Sequence, residues 1–203
     1  QAIAVAEELG DIERLARAAS AMAVGALWQS AHYGETHEDL IAALRRCLGE
    51  LPDADGELRC RVMLALANEL YYTTGFEERT ALVEQAVAMA ARLGDPVLQV
   101  DARQVGAVSL WQPDTTELRH DLAREALELA ERSGNDRGFA AAAALVAVAL
   151  GELGRVAEMR EMVPVARQSA ERLQFPYGLL VLDTLEIAWL AMEARFDEAE
   201  ERL

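Results

Sequence analysis

Histidines near acidic side chains are the first candidates for chemistry in this sequence. His32 and His37 lie five residues apart, with Glu35, Glu38 and Asp39 between or beside them. Two imidazoles that bind zinc from one helix face need a spacing of four, as in the HExxH motif, and the sequence lacks that spacing. We interpret this segment as a solvated polar turn, so we expect no metal site here. The third histidine, His120, stands alone in a charged stretch and is expected on the surface.

Paired carboxylates are the second candidate, because acid–base catalysis uses two carboxyl groups whose pKa values burial pushes apart. Asp183 and Glu186 interrupt the apolar stretch GLLVLDTLEIAWLAM (178–192) three residues apart, on one helix face. They are either a buried pair, which is the alternative of an all-helical enzyme, or the polar edge of a helix that faces a groove. The sequence has no GxSxG motif and no aspartate-rich metal motif. We therefore prefer the groove and expect neither enzyme activity nor a cofactor.

The composition excludes further kinds of site. The chain has 35 acidic and 19 basic residues, a net charge of −16, and no lysine, so a P-loop lysine and a lysine Schiff base are excluded. Such an acidic surface repels a phosphate backbone, and we expect no direct contact of this segment with nucleic acid.

The longest apolar run, residues 139–150, is too short for the roughly 20 residues that span a bilayer. We expect a cytoplasmic protein without membrane contact, and reduced core thiols at Cys47 and Cys60.

Turn residues recur at a period of about 40 residues. Turns that follow apolar segments are separated by 41, 38, 41 and 41 residues, at Gly34, Gly75, Pro113, Gly154 and Arg195. A second series alternates with the first, with the segment LPDADG (51–56) at one of its places and single residues at the others: Gly10, Gly94, Gly134 and Gln174. Two alternating series with one period predict a two-helix unit that repeats along the chain.

The segments between these turns have helical spacing and helical start signals. Leu82, Ala86, Ala90 and Leu93 lie on one helix face, and Asp95-Pro96 is typical of a cap followed by the first helical residue. No segment alternates like a strand. We predict an all-α fold of about eleven helices, arranged as about five pairs in a right-handed α-α superhelix that forms one domain over residues 1–203. Pro164 should kink the helix predicted at residues 155–173, or split it after Val163.

Aromatic and polar side chains recur on the first helix of each unit. Three tryptophans, and a tyrosine pair in the second unit, lie near the ends of these helices: Trp28, Trp111, Trp189, Tyr71 and Tyr72. They either fill the wedge between neighbouring units or present rings to a ligand or partner helix. The residues that we expect to line a concave groove are Trp28, Gln29, His32, Asn68, Tyr72, Arg103, Gln104 and Asp183.

Two short motifs carry a family resemblance. ARFDEAE (194–200) fits the start of the second helix of a tetratricopeptide repeat, with a small residue, a large one and then alanine, and GRVAEM (154–159) fits it loosely. The period exceeds the roughly 34 residues of that repeat. It resembles the helical-repeat region of MalT-like, LuxR-type bacterial ATPase transcriptional regulators and related cyclase–ATPase proteins. The resemblance extends over AVSLWQPDTTELRHDLAREALELAERSGNDR (107–137), ALVEQAVAMAARLGDP (81–96), LQFPYGLL (173–180) and EARFDEAEERL (193–203).

The resemblance implies a role for the chain. Such regulators carry an N-terminal nucleotide-binding module, a repeat region that senses an inducer or partner, and often a C-terminal helix-turn-helix. Both ends of this chain lie inside helical patterns, so we expect the middle part of a longer multidomain protein, in contact with the nucleotide-binding module. We expect a non-catalytic sensor that binds an inducer or protein partner in its groove. The alternative is a structural or self-associating tetratricopeptide-like adaptor, which would form homo-oligomers and take no small-molecule ligand.

Overall fold

The computed structural model is helical throughout the part of the chain that it describes, residues 2–23, 34–73 and 75–202. These ranges contain eleven α-helices, three short 3-10 segments and no strand, which confirms the predicted all-α class. No helix in these ranges is both long enough and apolar enough to cross a membrane. The chain forms two compact units, Gln1–Trp111 and Gln112–Leu203.

In the first unit, each helix packs against the next one along the chain. The helices are α1 (Ala2–Glu8), α2 (Ile12–Ser20), α3 (Glu38–Glu50), α4 (Glu57–Glu69), α5 (Phe76–Leu93) and α6 (Pro96–Ser109). The 3-10 segments Ala21–Ala23 and Leu70–Tyr72 extend α2 and α4. The predicted first helices also pack side by side, α2 against α4 and α4 against α6. Asp95 caps α6 as the sequence predicts, because its carboxylate accepts from the backbone N–H groups of Val97 and Leu98.

The second unit repeats this arrangement. Its helices are α7 (Thr116–Ser133), α8 (Asp136–Glu152), α9 (Val156–Arg172), α10 (Pro176–Met192) and α11 (Phe196–Glu200), preceded by the 3-10 segment Pro113–Thr115. Successive helices pack together, and α10 also packs against α8. Since α7, α9 and α10 surround α8, every residue from Ala140 to Leu150 is buried. Small side chains let these helices approach closely.

The turns have backbone conformations that recur at the predicted period. Gly94, Gly134 and Gln174 have φ angles of 73°, 67° and 49°, in the left-handed region that ends a helix, and follow each other every 40 residues. Gly154 and Ala194 form a second such pair, with φ angles of 69° and 59°. Gln174 and Ala194 thus adopt a conformation that favours glycine, because the repeated turn requires it. In the last of these turns the left-handed residue is Ala194, which directly precedes Arg195, the turn residue that the sequence predicts.

Pro164 does not split its helix, so this part of the prediction is wrong. Helix α9 is continuous through the proline, from Val156 to Arg172. Proline has no N–H and leaves the carbonyl of Arg160, four residues earlier, without its helical partner. Pro164 is exposed, so water can hydrate this carbonyl and the helix tolerates the missing bond.

Candidate functional site

The predicted groove residues differ widely in exposure. Asn68 and Gln104 are only 2% and 3% exposed. Tyr72 and Arg103 are half-buried, and the Asp183 side chain is 43% exposed. The remaining three lie outside the described residues: Trp28, Gln29 and His32.

An ion pair between two neighbouring first helices lies on the same face as the buried groove candidates. Arg61 Nη1 on α4 lies 3.1 Å from Asp101 Oδ2 on α6, and the two side chains are 22% and 14% exposed. Asn68 follows Arg61 by seven residues and Gln104 follows Asp101 by three, so the helical period puts them on common faces. Burial raises the pKa of the Asp101 carboxyl, and the charge of Arg61 opposes this change. This face therefore carries one pair of opposite charges, Arg61 and Asp101, beside the two buried amides of Asn68 and Gln104.

Sequence reasoning missed this ion pair, although the sequence contains a signal for it. Arg61 and Asp101 are 40 residues apart, which is one repeat period, so they occupy the same place on adjacent first helices. Tyr71 and Trp111 share this relation, and the Tyr71 hydroxyl donates to the Trp111 carbonyl at 3.0 Å. A search for oppositely charged side chains one period apart would find the ion pair, whereas the Tyr71 bond ends on a backbone carbonyl and leaves no such signal.

The two carboxylates considered for catalysis form part of a charged edge. Arg167 Nη2 donates to Asp183 Oδ1 at 2.6 Å and also to Glu186. The Asp183 and Glu186 side chains are 43% and 24% exposed, and Arg202 Nη1 lies 3.0 Å from Glu186 Oε2. Neither carboxylate is buried, so the structure has the polar edge of α10 and not the enclosed pair that acid–base catalysis requires.

A cleft of about 230 Å³ lies beside this edge, among α9, α10 and the start of α11. Trp189 Nε1 donates to Glu193 Oε1 at 3.0 Å, and Arg160 and Arg195 also pair with the Glu193 carboxylate. Pro164 contributes an apolar wall. Both arginines pair with a carboxylate of their own unit. The cleft therefore presents the edge of the Trp189 ring and charges that are already neutralised.

Two of the three histidines lie in the described ranges, His37 and His120. His37 Nδ1 lies 2.9 Å from Glu69 Oε2, which joins the start of α3 to the end of α4. In the described ranges no three potential metal ligands converge. His120 is only 6% exposed, so its predicted surface position is wrong. It lies on the inward stripe of α7 with Thr116 and Ala123, a helical periodicity that the many charged neighbours concealed.

Comparisons with known proteins add no relative. No protein-family model matches this chain, and no curated protein matches it significantly. The class of the protein therefore follows from its own features: it is an all-helical protein whose turns recur about every 40 residues and in which residues 40 apart contact each other.

We predict that both thiols are inert in the native protein. Cys47 and Cys60 are buried and free. Burial raises the pKa of Cys47, and it raises the pKa of Cys60 to about 11, so at pH 8 only about one Cys60 thiol in a thousand is the reactive thiolate. Ellman's reagent at pH 8 should label neither thiol in buffer and both in urea. Rapid labelling without urea would contradict this prediction.

Proposed function

We propose that this chain is the non-catalytic sensor or interaction region of a multidomain bacterial transcriptional regulator, similar to the MalT-like, LuxR-type regulators. We further propose that its helix pairs stack as a right-handed superhelix and bind an inducer or a protein partner along their first helices. The side-by-side packing of α2, α4 and α6 supports this proposal best, because consecutive first helices then share one surface.

Polar groups on these helices support binding. Asn68 Nδ2 is buried and has no hydrogen-bond partner in the described part of the chain. An unpaired buried amide costs roughly 1–3 kcal/mol of stability. On α8, by contrast, the buried residues are all alanine, glycine, leucine or valine. The repeat can therefore build a first helix without buried amides, which favours a binding role for Asn68.

The proposed mechanism is a change in helix packing. Arg103 Nη1 donates to the Gln99 carbonyl one turn earlier, so the half-buried guanidinium lies along the surface of α6. An occupant that contacts Asn68, Tyr72 and Arg103 binds α4 and α6 together. It favours one spacing of these helices, and the nucleotide-binding module then responds to that spacing.

The test is the response of the full-length protein. Alanine at Asn68, Tyr72 and Arg103 together, introduced on the chromosome, should reduce inducer-dependent transcription at least tenfold. A matched control replaces Arg124 and Glu128 with alanine, because these two residues form an exposed pair on α7. The control should respond like the wild type.

Intact induction in the triple variant, with a wild-type circular dichroism spectrum, would contradict the groove proposal. Sequencing of the flanking reading frame tests the rest of the proposal independently. A Walker motif upstream and a helix-turn-helix downstream are the expected result, and coding sequence without them would contradict the assignment to this class of regulator.

A specific observation favours the self-associating adaptor as the second candidate. The most exposed large apolar side chains of the second unit lie on α10 and α11: Leu180, Met192 and Phe196 are 58%, 74% and 64% exposed, and a second copy of the chain could cover them. Light scattering after size-exclusion chromatography distinguishes the two candidates. A mass that rises with concentration, and returns to the monomer value in Leu180→Glu, would favour the adaptor.

A further inference from the structure

The second helices of five successive pairs share one buried position. It is the fourth residue of α3, α5, α7, α9 and α11, and it is buried each time: Ile41, Arg79, Arg119, Met159 and Ala199. Three of these five residues are apolar, so the fold does not require a charge here. Arg79 and Arg119 are exceptions, and charged side chains are almost never fully buried unless they are paired.

Arg119 shows how the repeat neutralises a buried guanidinium. Its Nη2 donates to the carboxylate of Glu152 at the end of α8 and, at 3.1 Å, to Thr116 Oγ1. The Arg119 side chain is 4% exposed. A carboxylate from the following helix therefore balances the charge at this position.

Arg79 has no such balance. Its Nη1 donates to the Tyr71 carbonyl at 2.5 Å, while its Nε is buried without a hydrogen-bond partner in the described part of the chain. The guanidinium carbon lies 5.1 Å from the ring centre of Tyr71 and 5.3 Å from that of Phe76. No described carboxylate pairs with Arg79, and the two internal stretches outside the described ranges, VGALWQSAHY (24–33) and Thr74, contain no acidic residue.

A buried guanidinium is costly when a backbone carbonyl and two aromatic rings are its partners and no described carboxylate balances its charge. Burial lowers the pKa of the Arg79 guanidinium, because it destabilises the charged form. Arg79 is only 1% exposed, yet Tyr71 and Phe76, whose rings face it, are half-buried. The guanidinium therefore lies close beneath a partly open surface. Its planar fork matches the two oxygens of a carboxylate, as the exposed pair of Arg92 and Asp55 illustrates.

We infer that Arg79 binds the carboxylate of a small organic acid supplied from outside the chain, beside the rings of Tyr71 and Phe76. We choose a small acid because the surface of a folded partner would not reach a guanidinium that is only 1% exposed. The inference does not depend on the groove proposal, since Arg79 belongs to a second helix and is not among the groove residues.

Thermal unfolding with succinate as the probe tests this inference. Succinate is titrated at constant pH and ionic strength against sodium chloride, for the wild type, Arg79→Met and Arg124→Met. Methionine is chosen because the repeat already has it at the equivalent position of α9, Met159. The control Arg124→Met makes the same charge change at an exposed site. The wild type and Arg124→Met should show a saturable rise in Tm of a few degrees, which Arg79→Met lacks.

A resonance of the site itself provides the second measurement. In protein labelled with ¹⁵N-arginine, the Nε–H signal that is absent from Arg79→Met is assigned to Arg79. This signal should shift on addition of succinate and stay in place on addition of chloride. Equal Tm shifts in the wild type and Arg79→Met, or no succinate-specific shift of the Arg79 signal, would overturn the inference. Neither readout uses Asn68 or Arg103, so the groove proposal succeeds or fails separately.

Discussion

Replacing Ala143 with aspartate is expected to abolish the stable fold of the second unit. Ala143 is fully buried in the middle of α8, and the residues around it from Ala140 to Leu150 are buried as well. An aspartate here adds volume to a close-packed site and buries a carboxylate on a helix whose buried residues are all apolar. We expect a loss of more than about 4 kcal/mol, a large share of the 5–15 kcal/mol typical of a domain.

Urea unfolding followed by circular dichroism measures this loss, and hydrogen exchange locates it in residues 112–203. The matched control is Ala157→Asp, because Ala157 is exposed in the first turn of α9. That carboxylate stays hydrated near a helix N-terminus, so the unfolding free energy should change by less than about 0.5 kcal/mol. A wild-type urea midpoint for Ala143→Asp would show that α8 is not packed as described.

The sequence predicts the turns of this fold well because each turn depends on local chemistry. The helix that ends at Leu93 is closed by a left-handed glycine, and the period then locates the same turn at Gln174, which is not a glycine. The depth of a side chain could not be predicted in this way. Arg103, Ala143 and Asp183 occupy one place in successive repeats, yet Arg103 is half-buried, Ala143 is buried and the Asp183 side chain is 43% exposed. Burial depends on which neighbouring helices surround each one.

In the candidate site, too, the helix face of a residue could be predicted from the sequence, whereas its burial and its partners on other helices could not. Helical spacing puts Asn68 and Tyr72 on one helix face, but it does not reveal that the Asn68 amide is buried. The partly buried pair of Arg61 and Asp101 was missed because the two residues belong to different helices. Arg79 reads as one charge in the polar stretch FEER, and only the packing of α5 shows that it is enclosed.

Removal of the Glu152 carboxylate is expected to cost about 2–3 kcal/mol of stability. Breaking a buried ion pair costs roughly 3–5 kcal/mol, and we reduce this figure because the Glu152 side chain is 31% exposed and partly hydrated. Glu152→Ala leaves Arg119 buried without its carboxylate. The exposed control Glu128→Ala removes a surface ion pair with Arg124 and should cost less than about 1 kcal/mol.

Adding Arg119→Met to Glu152→Ala should restore stability to within about 1 kcal/mol of the wild type, because Met159 occupies the same inward position in α9. Urea unfolding of the wild type, both single variants and the double variant completes a double-mutant cycle. If Glu152→Ala costs no more than Glu128→Ala, Arg119 does not depend on its carboxylate. A large coupling energy would instead measure what a carboxylate contributes to a buried guanidinium at this position of the repeat.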